Sequence, residues 1–193
     1  MPTRVLHIGK YYPPIAGGIE NFLFDLLPAL VGHRIEPALL VHEDRKAPYP
    51  PGTFDGIPAF CAPAYGTLLY APVSPRFPQC LQQAIVRFRP DLLHIHVPNT
   101  SAFWALLLPA ARRLPWIVHW HADVVASEVD RRMAQAYHLY KLIESCLLAR
   151  SWRIVTTSHA YLHSSPTLSP WREKCRVIPL GLDPSAAGQG RVF

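Results

Sequence analysis

Short apolar runs and longer helical patterns take turns along this chain. The runs are Val5-Leu6-His7-Ile8, Pro37 to Val41, Leu92-Leu93-His94-Ile95, Trp116-Ile117-Val118, Ile154-Val155-Thr156 and Val177-Ile178, each of a length that suits a strand. Between them, apolar residues recur every three or four positions over Ile19 to Val31 (Phe22, Leu23, Leu26, Leu27, Leu30), Pro78 to Phe88 and Met133 to Leu148. That spacing makes one apolar face on a helix. Apolar strands separated by helices predict an α/β domain: a Rossmann-like, doubly wound, mostly parallel sheet with helices on both faces.

The stretch from Ala47 to Pro78 breaks the rhythm, with eight of the 21 prolines (Pro48, Pro50, Pro51, Pro58, Pro63, Pro72, Pro75, Pro78). Proline cannot donate to a ladder or continue a helix, so loops and one or two short edge strands are expected there. After Pro179 the periodicity fades. The expected division is one domain over residues 1–183 and a tail or truncated linker over 184–193.

A length of 193 residues suits one compact domain, and a 50% hydrophobic composition is enough for a packed core. Lys and Arg number 19 against 13 Asp and Glu, a net charge of +6 that favours anionic partners such as nucleotides or phospholipid surfaces. No run of five basic residues and no zinc-finger spacing occurs, so a nucleic-acid partner is not expected. Cys61, Cys80, Cys146 and Cys175 lie far apart without a CxxC pair, which argues against a disulfide framework or structural zinc and suits a reducing cytosol. The amino terminus reads as a strand without a secretory apolar core, and the apolar stretch Ser101 to Ala111 is interrupted by Pro109 and too short to cross a bilayer. The expected location is the cytoplasm. The helix from Arg131 to Arg150, with Arg131, Arg132, Lys141 and Arg150, is either an ordinary solvated face or a weak peripheral contact with an anionic membrane at its inner face.

Ligands of open α/β sheets sit beyond the carboxyl ends of the strands, so the residues following each strand carry the candidate chemistry. The first strand leads through Gly9 to Gly17-Gly18-Ile19-Glu20 at the start of a helix. The two glycines either let backbone N–H groups approach an anion or simply turn the chain; the GxGxxG fingerprint is absent. Two later strands end in His94-Ile-His96-Val-Pro98-Asn99 and His119-Trp-His121-Ala-Asp123. A period of two puts His94 with His96, and His119 with His121, on one face, His96 and His121 being nearer the carboxyl ends. They can be packed strand-end histidines, a metal-free ligand site or a metal site. The HxHxD order resembles the opening of metal-dependent hydrolases, although Val124 stands where a further histidine is customary. Asp123 either caps the next helix or orients an imidazole, and Thr157 and Ser158 are open between cap and ligand contact.

Together Pro13-Pro-Ile-Ala-Gly-Gly-Ile-Glu20, His94-Ile-His-Val-Pro-Asn99, Val118-His-Trp-His121-Ala-Asp123, Ile154-Val-Thr-Thr-Ser158 and Lys174-Cys-Arg-Val-Ile-Pro-Leu-Gly-Leu-Asp183 resemble the amino-terminal domain of glycosyltransferase family 4 enzymes. The resemblance implies one half of a GT-B fold, the half that holds the acceptor of a retaining sugar transfer. Carried over by position, it implies His121 and Asp123 as the catalytic pair and Gly17 and Gly18 near the donor phosphates. It places Tyr11, Tyr12, His96, Asn99 and Ser158 on the acceptor side. Ala122 stands where the family has a serine between the histidine and aspartate. The implied partners are a nucleotide diphosphate sugar as donor substrate and a glycan or lipid-linked acceptor. No further cofactor and no metal is expected.

In the family, basic residues and paired glutamates of a carboxyl-terminal domain grip the donor. Such a domain, in frame or on a separate chain, is therefore an expected partner, and the 193 residues alone are expected to fold without transferring sugar. The rival expectations are a non-catalytic partner-binding module or remnant, and a metal-dependent hydrolase built on the two HxH pairs.

Overall fold

The computed structural model describes residues 1–44, 49, 52–68, 71–124 and 131–181. The first strand, β1 (Thr3–Ile8), leads into helix α1 (Gly18–Val31), and β2 (Ile35–Asp44) follows. The proline-rich stretch supplies β3 (Thr53–Phe54), β4 (Ile57–Ala64), β5 (Thr67–Leu68) and β6 (Ala71–Pro72). Helix α2 (Phe77–Phe88) leads to β7 (Leu92–Val97), then a 3₁₀ helix over Thr100–Leu106, a short α3 (Pro109–Arg112) and β8 (Trp116–Trp120). Helix α4 (Arg131–Arg150), β9 (Arg153–Thr156), α5 (His159–Ser164) and β10 (Cys175–Val177) complete the described chain. The tail expected over 184–193 lies outside the described residues.

The main sheet has the order β10-β9-β8-β7-β1-β2-β4-β3 and is parallel except for the β3–β4 hairpin. This is the doubly wound α/β layer that the sequence pattern predicts. The proline-rich stretch does more than decorate an edge, because β4 pairs parallel with β2 along Leu39↔Ala59 to Asp44↔Ala64. From β1 the chain builds outward through β2 and β4, then returns to lay β7 against the opposite side of β1. The β1–β7 seam is thus the topological switch point, where the loops leaving two neighbouring strands part and open a crevice.

One sheet face is mostly apolar, with His42 and Thr156 as buried polar exceptions. Leu6, Ile8, Leu93, Ile95, Val97, Trp116, Val118, Trp120 and Ile154 meet Phe77, Leu81, Ala84 and Phe88 of α2, and Leu147 and Leu148 of α4, in one buried cluster. On the other face α1 packs Ile19, Leu23 and Leu27 onto Leu39 and Val41. This second face is apolar only in part. Towards the carboxyl ends of β1, β7 and β8 the alternate positions are His7, His94, His96 and His119, so these strands are not the fully apolar runs expected of a sheet packed on both faces. They alternate apolar with imidazole, and the imidazoles gather on the α1 side.

Candidate functional site

Register brings the histidines together. His7 of β1 lies opposite His94 of β7, and His96 of β7 lies opposite His119 of β8. His121 follows β8, where its N–H donates to Val97 O at 3.1 Å. The five rings form one stacked group, with centroid separations of 4.5 Å for His94–His96, 4.4 Å for His119–His121, 4.8 Å for His7–His94 and 5.3 Å for His96–His119. Phe22 of α1 covers them, its ring 4.6 Å from that of His119 and 5.2 Å from that of His121. Gly18 lies four residues before Phe22, on the same stripe of α1. A Cβ at Gly18 would meet nothing within 4 Å, so the helix start is open above the histidines.

Hydrogen bonds thread three of the rings. His7 Nδ1 lies 3.2 Å from His96 Nε2, and His96 Nδ1 lies 3.1 Å from His121 Nε2. His7 Nε2 is buried without a partner. Leaving a buried N–H unmade costs more than leaving a ring lone pair idle, so His7 donates from Nδ1 to His96, and His96 donates from Nδ1 to His121. His121 accepts at Nε2, carries its proton on Nδ1 and is the partly exposed end of the thread. Burial strongly disfavours the imidazolium forms. It lowers His7 to about 3, with help from the nearby His119, His119 itself to about 2, and His121 to about 4. His94 and His96 are held well below the usual imidazole range, again by burial first and neighbouring histidines second. At neutral pH the group is a set of neutral imidazoles, able to donate one hydrogen bond apiece or to offer lone pairs.

A sequence model of the glycosyl transferase 4-like domain matches residues 17–181. This chain belongs to that family. It is 28% identical over 187 residues to O-antigen chain mannosyltransferase C of Escherichia coli, an alignment covering 93% of this chain and 46% of that protein. It is also 28% identical over 186 residues to D-rhamnosyltransferase WbpZ of Pseudomonas aeruginosa, covering 93% of this chain and 45% of the relative. The chain therefore spans about half the length of the curated relatives it matches. Among solved structures, the catalytic domain of starch synthase IV from Arabidopsis thaliana superposes with a TM-score of 0.59 at 17% identity, over 96% of this chain and 53% of that one. UDP-N-acetylglucosamine 2-epimerase from Rickettsia bellii superposes with a TM-score of 0.54 at 13% identity, over 91% and 44%. The structural likenesses establish the shared fold.

Within this glycosyl transferase 4-like domain the predicted site residues fall into two groups. His96, His121 and Gly18 lie at the switch-point end of the sheet, joined by His94 and His119. The others are engaged in holding the frame. Asn99 is buried at 2% exposure; its Nδ2 donates to Gly9 O at 2.7 Å and its Oδ1 accepts from Ser101 N at 3.2 Å. It ties the loop after β1 to the loop after β7 across the crevice floor. Tyr12 is 3% exposed and stacks on Phe54 at 4.7 Å in the core beneath α1, away from any acceptor surface. Tyr11 is partly exposed, its ring 5.7 Å from that of His42. Ser158 caps α5, its Oγ accepting from Tyr161 N at 3.1 Å.

Asp123 is turned away from the imidazoles. Its Oδ2 accepts from Tyr161 Oη at 2.9 Å and its Oδ1 from Ser165 Oγ at 3.0 Å, and Tyr161 Oη accepts in turn from Trp120 Nε1 at 3.3 Å. The carboxylate therefore binds the loop after β8 to α5. Gly17 sits in extended backbone (φ 173°), and the Glu20 carboxylate folds over it: a Cβ there would come 2.1 Å from Glu20 Oε2. That side of the helix start already has an anion. On α4, Lys141 is held by Glu144 and Thr167, while Arg150 donates to Leu114 O at 3.2 Å and lies 4.8 Å over Trp116. Two of the four cations of the supposed basic face thus serve the fold; the side chains of Arg131 and Arg132 lie outside the described residues. Among the described residues no helix is long and apolar enough to cross a membrane.

Sequence reasoning missed His7 and the cover supplied by Phe22. His7 stands alone on its strand, and only the register of β1 with β7 makes it a neighbour of His94.

Proposed function

We propose that this domain is the acceptor-side half of a retaining glycosyltransferase that moves a sugar from a nucleotide diphosphate donor to a glycan or lipid-linked acceptor. The observation that carries it is the convergence, at the β1–β7 switch point, of His121 with its outward Nδ1–H and the uncovered backbone of Gly18, in a chain of the glycosyl transferase 4-like family. Here His121 is a neutral donor that positions the donor sugar and its leaving diphosphate. The buried thread through His96 to His7 fixes its tautomer. Departure of a nucleotide diphosphate needs positive charge and donors aimed at it from both sides of a dry cleft. This domain supplies one wall, and a second, donor-binding domain supplies the other. The free cysteines Cys61, Cys80, Cys146 and Cys175 favour a reducing, cytoplasmic setting for the site.

One curated relative is named a mannosyltransferase and the other a D-rhamnosyltransferase, so nucleoside diphosphate mannose and D-rhamnose are the first donors to test. Isothermal titration of the 193-residue chain with nucleoside diphosphates should give affinities near millimolar, roughly −4 kcal/mol. Micromolar binding or multiple turnover by this chain alone would sink the one-wall reading. In the longer protein that contains this domain, His121→Ala should lower turnover by roughly 10² with the fold intact, the scale of one positioned group. Equal loss from His119→Ala would assign the role to the wrong imidazole.

A further inference from the structure

Several ring nitrogens of the five imidazoles have no part in the sugar-transfer reading. His119 is 3% exposed, and both of its ring nitrogens are buried with no hydrogen-bond partner; the same holds for His94 Nε2 and His7 Nε2. A neutral imidazole always carries one N–H and one lone pair, so His119 buries an unmade donor in either tautomer. Native interiors rarely leave such a group idle, and packing alone is served better by a leucine or phenylalanine of similar size.

One ligand class uses the idle lone pair of His119: a cation bound at one ring nitrogen, with the proton kept on the other. Ligand nitrogens of His96, His119 and His121 lie within 4.8 Å of one another. His96 Nδ1 and His121 Nε2 are 3.1 Å apart, close to the roughly 3.3 Å that separates two nitrogens bound to one tetrahedral ion at about 2.0–2.1 Å. Two of the three stand on adjacent strands in direct register, His96 opposite His119, so the sheet holds both side chains on one face. With His96 Nδ1 bound to an ion, its Nε2–H donates to His7 Nδ1, the outer hydrogen bond that ligating histidines make, and the His7 proton moves from Nδ1 to Nε2.

We propose that His96, His119 and His121 form a binding site for a zinc-class divalent cation, with His7 orienting His96 from behind and one coordination position left open towards the crevice. The donor set decides the class. All three ligands are neutral nitrogen, and the nearby carboxylate, Asp123, is occupied by Tyr161 and Ser165, so among the described residues the set favours an imidazole-binding ion over the hard cations magnesium, calcium and manganese. Zinc, with cobalt and nickel as surrogates, prefers imidazole. The ion clamps β7 to the end of β8 and fixes the ring of His121. The site goes beyond the transferase reading and is read by metal content, not by sugar transfer; once bound, the ion takes the place of the His96 N–H at His121 Nε2 and keeps the proton of His121 on Nδ1.

The test uses the untagged 193-residue chain, stripped with chelator, exposed to excess zinc chloride at neutral pH and passed through gel filtration. Zinc should remain at about one ion per chain, and cobalt in its place should give the visible absorption of a tetrahedral site. His119→Ala and His121→Ala should each lower retained zinc by about tenfold or more, while His33→Ala, on the exposed end of α1, leaves it unchanged. Circular dichroism checks each fold; should the buried His119 variant not fold, the partly exposed His121→Ala decides. Retention below about half an ion per chain by the parent, or retention undiminished in a folded His121→Ala chain, overturns the proposal.

Discussion

Acidification is the perturbation that the histidine group should feel most. An imidazole in the unfolded chain titrates near 6.5. In the folded chain burial lowers His7 to about 3, His42 and His121 to about 4 and His119 to about 2, and holds His94 and His96 well below their ordinary value. The folded form therefore binds fewer protons than the unfolded form below pH 6.5. The sign follows: stability present at neutral pH is lost as pH falls from 6.5 towards the folded values. For one such group, moving from about pH 7.5 to about pH 5 removes about 2 kcal/mol, the free energy of protonating the unfolded imidazole while the folded one stays neutral. Six groups acting together withdraw on the order of 10 kcal/mol, as large as the whole stability of a typical domain. Urea titrations followed by circular dichroism at several pH values, with chelator present so that no metal contributes, measure this directly. The unfolding midpoint should fall steeply below pH 6.5 and the native state should be largely gone near about pH 5. His94→Ala should flatten the dependence of stability on pH by about one proton. A midpoint that stays the same between about pH 7.5 and about pH 5 would refute the reasoning, because six imidazoles cannot remain buried and neutral without that proton linkage.

Two further outcomes test the frame of the site. Asn99→Ala removes the donor to Gly9 O and the acceptor for Ser101 N; losing a cap and stranding a buried carbonyl should destabilise the domain by about 2–3 kcal/mol, read as a lower urea midpoint. Gly18→Ala, at an open position in the first turn of α1, should leave the melting temperature unchanged or slightly raised; under the transferase proposal it should also weaken the millimolar nucleotide binding of this chain in isothermal titration. Gly17→Ala meets only the mobile end of the Glu20 side chain and should keep stability within about 1 kcal/mol of the parent; a larger loss in the urea midpoint would show that Glu20 has a fixed place at the helix start.

Sequence alone determined the layer. The alternation of Val5 to Ile8, Ile19 to Val31, Leu92 to Ile95 and Trp116 to Val118 predicts strands and helices that a parallel sheet must cover on both faces, and the structure has them at nearly those bounds. Period two also placed His94 with His96 and His119 with His121 on common faces, because side-chain direction along a strand depends on local geometry only. What lay beyond local geometry was decided by the tertiary structure. Strand order and register put His7 beside His94 and His96 beside His119, contacts between residues some 25 to 90 positions apart that no spacing encodes. The pairing of Asp123 was likewise settled by α5, whose Tyr161 and the following Ser165 reach its carboxylate first and take it from the neighbouring histidine. Tyr12 and Asn99 read as site residues in a linear string, yet the packing of α1 on β2 and the crossing of two loops at the switch point bury both. A polar side chain near a strand end can face the crevice or brace its floor, and that choice depends on which distant donor or acceptor arrives within hydrogen-bond reach.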